Sequence, residues 1–430
     1  MVLFWFWLIL FQAKPKYHKI METVISTDQR IINSLLLNAS FIENLGLMHG
    51  KMGISICFFH LARQTGTQIY EDYAGELIDE IYEEITKNTP VDFENGLAGI
   101  GWGIEYLVQN GFIEADTDEV LEEFDNRIFK ELIYNTPKEI SLLKGLLGIG
   151  FYFLKRIKNK TSNNEKITTL TNKQTLIHLI DELDSQTQNI SEITIEPLSK
   201  KSTSDKPSNN RRTIEPPNKK RQTTNHEPQT KNKQFDLTWD YPALLWFLAE
   251  LYEQNIFNFK VEKIIQRLTE PLSNESNLPK MQNNRLLLAL ALTKLQKNNS
   301  GQPTTNNKRQ TTNNRQTTVA PSNLQTITTN LLTEINRNTI NSELPPHNVT
   351  LRYGTSGVAW IYQQLHHQTG DNHFKEEMEY WHKLPFKSEK SNEIFPGINN
   401  ESLNAWGLLE GLAGMLLTNE TINLKKPKKR

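Results

Sequence analysis

Five times along the chain a Gly-x-x-Gly pair opens an apolar helical run, and the spacing of those pairs constrains the fold more than any other feature. The pairs are Gly50/Gly53 in LMHGKMGISICFFHLA, Gly96/Gly99 in FENGLAGIGWGIEYLV, Gly145/Gly148 in LLKGLLGIGFYFLKRI, Gly354/Gly357 in LRYGTSGVAWIYQQL and Gly411/Gly414 in LLEGLAGMLLTN. Successive first glycines lie 46, 49, 209 and 57 residues apart. A repeat of this length is a supersecondary unit that buries its apolar face only by stacking on its neighbours. The long gap holds two low-complexity segments, 199–234 and 297–322, both rich in Asn, Thr, Gln, Lys and Arg and both carrying the word RQTTN. Such composition buries too little apolar surface to order a chain, so both are expected to be disordered inserts. Taking out their 36 and 26 residues leaves 147, three steps of 49. Two further units, without glycine pairs, therefore belong in the gap, at TWDYPALLWFLAELYEQ (238–254) and NNRLLLALALTKLQ (283–296). The count is seven.

Each unit reads as a helical hairpin. About 20 residues after each apolar helix comes an amphipathic one. In AGELIDEIYEEI the apolar set Ala74, Leu77, Ile78, Ile81, Tyr82 and Ile85 follows the i, i+3, i+4, i+7 rule. The same stripe recurs at Val120, Leu121, Phe124 and Ile128, at Val261, Ile264, Ile265 and Leu268, and at Leu324, Ile327, Leu331, Leu332 and Ile335. Strand-like alternation is scarce. The reading is an all-α (α/α) toroid of about seven hairpins, apolar helices inside and amphipathic helices outside. The glycines have a structural task in it, permitting a tight turn and close approach between neighbours.

Composition sets limits. The chain of 430 residues has a net charge of -1, but segment 199–234 carries 10 Lys/Arg against 3 Asp/Glu, a local +7 that leaves -8 elsewhere. That basic insert has no aromatic residue on which bases could stack, so no nucleic acid partner is expected. The single cysteine, Cys57, excludes an internal disulfide and fits a reducing compartment; the cytoplasm is the default expectation. The first residues, MVLFWFWLILFQAK, form an apolar run too short to span a bilayer and without a basic flank or small-residue cleavage site. Residues 1–20 are read as untranslated, with Met21 as the start, or as a short anchor; only in the second case is membrane contact expected. One toroid domain is expected over 21–424, followed by a basic tail, 425–430.

Seven helical hairpins, with inner helices opened as NGLAGIGWGIEYL and EGLAGMLL, resemble the lanthionine synthetase C-like family, the cyclase components of lantibiotic biosynthesis. The resemblance covers most of the chain outside the inserts and the N-terminal run. It implies an (α/α) barrel with zinc at one end, held by two cysteines and a histidine from a Trp-Cys-x-Gly and a Cys-His-Gly motif. A further histidine, in an Ala-His-Gly motif of a middle repeat, is implied as a proton shuttle. Zinc in such a site keeps a position for a substrate thiol and makes it a thiolate. The thiolate adds to a dehydroamino acid, closing a thioether ring, and a general acid protonates the enolate. In TLRYGTSGVAWIY, however, Arg352 stands for the cysteine and Tyr353 for the histidine. An arginine stays cationic and has no lone pair for a metal. The fifth repeat near NNRLLLALAL has no cysteine, the fourth offers WDYPA in place of Ala-His-Gly, and one cysteine cannot supply two ligands. No zinc is therefore expected as cofactor.

Cys57 lies among Ile, Phe and Leu and reads as a buried thiol. His49 and His60, 11 residues apart, read as lying on roughly one helical face, too far apart to share a metal. His366, His367, His373 and His382 read as solvated. Asp92, Glu94, Glu105, Asp240 and Glu410 sit at or near inner-helix entrances, with Trp102, Trp239, Trp360 and Trp406 nearby. A carboxylate pair with aromatic platforms is also what a glycan-processing toroid needs, but acids at helix starts ordinarily act as caps. The leading expectation is a member of the resembled family without the zinc site, binding a peptide or partner protein at the mouth and serving maturation of a ribosomally made peptide. Arg352, Tyr353, His49, Asp240 and Glu410 are its candidate residues; Arg352 offers a fork for a peptide carboxylate. An interaction scaffold and a carbohydrate-active toroid are the alternatives.

Overall fold

Among the described residues, seven largely buried helices alternate with seven that show one face to solvent, with a few shorter helices between them. The computed structural model describes residues 27–158, 167–188, 239–300, 323–344, 348–352, 354–384 and 406–423. The N-terminal run 1–20, the insert 199–234, Tyr353 and the tail 425–430 lie outside the described residues, as does 297–322 beyond Ser300. The inner set is α2 (Lys51–Thr65), α4 (Leu97–Gln109), α6 (Leu146–Ile157), α8 (Asp240–Glu253), α10 (Gln282–Ser300), α12 (Thr355–Thr369) and α14 (Leu412–Asn423). The outer set is α1 (Thr27–Asn38), α3 (Gln68–Glu84), α5 (Glu122–Tyr134), α7 (Ile167–Thr187), α9 (Asn258–Thr269), α11 (Leu324–Thr333) and α13 (Asn372–Lys383). No strand occurs among the described residues.

Each inner helix packs on the next, and α14 returns to pack on α2, which closes the ring. Outer helices α3, α5, α7, α9, α11 and α13 each cover the inner helix just before them in sequence, whereas α1 covers α14. The all-α toroid expected from the repeats is therefore the fold, with the units that lack glycine pairs supplying α8 and α10. Both lie where the spacing put them. The second low-complexity segment begins later than its composition suggests, because α10 continues through Lys297 to Ser300.

The glycine pairs serve one repeated turn. The N–H at the start of the helix donates to a carbonyl seven residues earlier: Lys51 to Asn44 at 2.9 Å, Leu97 to Pro90 at 2.9 Å, Leu146 to Glu139 at 3.0 Å and Thr355 to Asn348 at 3.1 Å. A loop backbone thus caps these helices in place of a side chain. It crosses so near that a Cβ on the second glycine would meet the carbonyl oxygen six residues back: 2.2 Å from Leu47 at Gly53, 2.2 Å from Phe93 at Gly99 and 2.3 Å from Leu142 at Gly148. The first glycines have extended φ of -112° to -125°, open to any residue. Close approach, not φ, selects glycine here.

Without a glycine turn, α10 is capped differently. The N–H groups of Gln282 and Asn283 donate to the Glu343 carboxylate at 2.9 and 3.2 Å, and Glu343 ends a short helix, Arg337–Glu343. A carboxylate there complements the helix dipole. Glu343→Ala is expected to cost about 1 kcal/mol, as loss of a helix cap does, and a urea titration of the two proteins checks it.

Three sequence expectations need correction. The stripe at Val120, Leu121, Phe124 and Ile128 is not one helix face: a short helix, Thr117–Val120, precedes α5 and leaves Val120 exposed. His49 lies in the turn before α2, so it shares no helical face with His60. Glu105 is not at an entrance. It is buried deep in α4, paired with Arg156 at 3.0 Å.

Arg156, itself 0 % exposed, gathers three carboxylates. Its guanidinium reaches Glu105, Asp118 at 3.4 Å and Asp125 at 2.8 Å, and Tyr152 donates to Asp125 at 2.5 Å. Burial by itself would lower the pKa of Arg156, but the Asp125 hydrogen bonds and charge outweigh it and hold the guanidinium above its ordinary value. The network ties α4, α5 and α6 together below the ring of loops.

Candidate functional site at the toroid mouth

Because inner helices all run the same way, their N-terminal turns meet at one end of the ring. Those turns are hydrogen-bonded to one another. Arg352 N–H donates to the Leu409 carbonyl at 3.0 Å, Leu409 N–H to Met48 at 2.9 Å, and Met48 N–H to Glu94 at 3.1 Å. The Phe93 and Glu94 N–H groups then donate to Leu143 at 3.0 Å, and Leu142 N–H to the Asp240 carboxylate at 2.9 Å. Six of the seven units are linked in this way, from the sixth through the seventh and first to the fourth. Backbone amides that would otherwise face water are satisfied by the next loop, so the rim is a built surface.

Two more glycines make this contact possible. A Cβ at Gly46 would lie 2.2 Å from the Asn95 Cα, and one at Gly407 would lie 2.5 Å from the His49 Cα. Each stands four residues before the first glycine of its pair, at Gly50 and Gly411. Sequence reading passed over them because the pairs themselves held the period. Their spacing of four to the pair was the available signal.

The described candidates all sit on this rim, but not as one cluster. Arg352 pairs with Glu410 at 2.8 Å, joining the sixth and seventh turns, and both side chains keep partial contact with solvent. His49, buried, places its Nε2 3.2 Å from the Glu94 carboxylate, whose other oxygen lies 3.3 Å from the Lys144 ammonium. The His49 Nδ1 has no hydrogen-bond partner among the described residues. Asp240, at the fourth turn, spends its carboxylate on the Leu142 amide. Tyr353 lies outside the described residues. Nearby, Asp92 accepts from the Asn95 N–H at 2.7 Å, and burial pushes its carboxyl up from the usual range. Asp92, Glu94, Asp240 and Glu410 each thus serve as a cap or an ion-pair partner.

The zinc that the resemblance implies would need thiolate and imidazole donors at the sixth and fifth turns. At the sixth, the Arg352 guanidinium is a cation bound to Glu410; at the fifth, α10 begins on Gln282 and Asn283 under Glu343. Cys57 is fully buried in the body of α2. Among the described residues no three His, Cys, Asp or Glu side chains form a group that could hold a metal ion. These donors do not fit the metal.

Below the rim, a second surface lines the ring. On α4, α6 and α12, otherwise largely buried, partial exposure returns at the third and seventh residues after the second glycine. These are Trp102 and Tyr106 on α4, Phe151 and Lys155 on α6, and Trp360 and Gln364 on α12. No described helix is long and apolar enough to cross a membrane.

A family model described as lanthionine synthetase C-like protein matches residues 42–211 and 324–429. The unmatched stretch between them holds α8 and α10, the inner helices without glycine pairs. Among solved structures the chain is similar to nisin cyclase, with a TM-score of 0.57 at 13% identity, covering 92% of this chain and 94% of that one. No curated protein sequence matches. The glycine-turn repeats, the closed ring and the extent of the family match lead to one conclusion: this chain belongs to the lanthionine synthetase C-like family.

Proposed function

We propose that this protein is a family member that works without zinc, binding a peptide or a partner protein at the toroid mouth during modification of a ribosomally made peptide. The observation that carries the reading is the Arg352–Glu410 pair at the sixth turn, at the position matching the family's Cys-His-Gly motif. A guanidinium there cannot activate a thiol, but it presents donors suited to a carboxylate, and exchanging Glu410 for an acidic peptide group would conserve the charge pairing. The hydrogen-bonded rim gives that exchange a rigid frame, which keeps the ordering cost of binding low. The buried His49, Glu94 and the exposed Lys144 lie on the first three turns and add a second polar patch to the same face. Cytoplasmic location fits a chain with one thiol, buried in the fold.

Metal analysis of the purified chain tests the reading. The expected result is zinc far below one ion per chain after dialysis against a weak chelator; one tightly held zinc per chain overturns it. Incubation with a peptide carrying both a cysteine and a dehydroalanine is expected to give no enzyme-dependent thioether.

A further inference from the structure

Lys155 stands on the inner surface of the ring, in the last turn of α6. Its ammonium lies 5.5 Å from the centre of the Trp102 ring and 5.2 Å from that of Tyr106. Those two rings stack with 5.4 Å between centres and 13° between planes. Tyr106 is joined to His60 of α2 by a 2.9 Å hydrogen bond. Burial, with Arg63 adding to it, pulls His60 down to about 4, so the His60–Tyr106 pair is neutral near pH 7.

The carboxylates within reach are committed elsewhere. Glu250 of α8 holds Lys158 at 2.6 Å and Lys294 at 3.1 Å, and Glu253 holds Lys294 at 2.7 Å. Glu105 is turned into the Arg156 network and also accepts from Gln109. Among the described residues, no ion pair to Lys155 forms. Burial, then the neighbouring Lys158, lower its ammonium to about 8, against the weaker pull of Glu105 and Glu250. At pH 7 it is therefore still mostly charged, half withdrawn from water and lacking an anion. Aromatic faces soften that cost without neutralising the charge.

We propose that this inner surface is a binding site for a carboxylate attached to a flat apolar group, with Lys155 pairing the carboxylate and the Trp102–Tyr106 stack taking the apolar part. Phe151, one turn nearer the mouth on α6, extends the apolar wall. A bound carboxylate supplies the missing counter-charge in a partly desolvated setting, where a charge-assisted hydrogen bond counts for more than in water. The ligand class includes both a free aromatic acid and the C-terminal end of a peptide finishing in an aromatic residue. The site stands apart from the zinc-free reading of the mouth, so metal analysis and the titration below can fail separately.

The test titrates the whole chain calorimetrically with N-acetyl-tryptophan and with N-acetyl-tryptophanamide, in which a neutral amide of similar shape replaces the carboxylate. The acid is expected to bind at least tenfold more tightly than the amide. Lys155→Met, which keeps the stem's packing, is expected to abolish that difference, and Lys155→Arg to retain it. Circular dichroism of both variants shows that the ring still folds. Equal affinity for acid and amide overturns the proposal, as does no binding of the acid at millimolar concentration or discrimination that survives Lys155→Met. A tetraglycyl-tryptophan peptide with a free C-terminus separates the sources. Tighter binding than the N-acetyl acid assigns the site to a peptide end, and equal binding assigns it to a free acid.

Discussion

Arg156→Met lowers the stability of the ring by about 3–5 kcal/mol, the cost of removing one partner from a buried ion pair. The reason is what remains. Glu105, Asp118 and Asp125 converge on a guanidinium that is 0 % exposed, and methionine leaves those carboxylates facing one another with no cation between them. Tyr152 cannot relieve them, since burial and then the Asp125 charge already raise its hydroxyl pKa well above the ordinary value, and it stays a neutral donor. Arg156→Lys keeps the charge but loses the fork that reaches all three acids, so an intermediate loss is expected. The urea midpoints of the three proteins check the order. Arg156→Met as stable as the parent would mean that the carboxylates take up protons or water at little cost.

The second large effect comes from a methyl group. In Gly357→Ala the new Cβ would lie 2.0 Å from the Leu351 carbonyl oxygen, with the Leu351 carbonyl carbon at 3.0 Å. The obstacle is backbone, and the same loop carries the hydrogen bonds that cap α12. It cannot swing aside as a side chain could. The expected loss is about 3 kcal/mol, the upper end for overpacking. Gly75→Ala is the matched control. Gly75 lies within α3 with nothing within 4 Å of its Cβ position, so alanine there is expected to add about 0.4–1 kcal/mol. Opposite signs for one chemical change, read as melting temperatures, separate close approach from helix propensity.

The number of units was legible because each turn repeats a steric demand at nearly constant distance. Even the two units without glycines showed once the low-complexity length was subtracted. The family, too, was legible, since the stretches that its model matches carry all five glycine pairs on which the resemblance rested. Side-chain placement was less so. Glu105 follows its glycine by only six residues and passes for a residue near the entrance, yet the turn ends at Gly96 and Glu105 is already two turns inside α4. Lys155 and Arg156 are adjacent and chemically alike in sequence. The 100° between neighbours on a helix sends one to the inner surface and the other into the layer between α4, α5 and α6. The Glu343 cap was hidden because its acceptor and donors lie about 60 residues apart, with no local pattern to connect them.

The pairing of α1 with α14 makes the last repeat a composite of the chain's two ends. In an open repeat array, each new hairpin can settle on its predecessor as soon as it exists, and order spreads from any point. Here the seventh inner helix waits for its cover until residues near 30 and residues near 415 meet, across nearly the full described length. Among the described residues, that contact carries the largest loop-closure cost. Assembly of this seam should therefore be the late, slow event in refolding, and the seam should be the first place to open under denaturant. A cross-link between α1 and α14 would turn a ring that opens at one joint into one that opens only by melting.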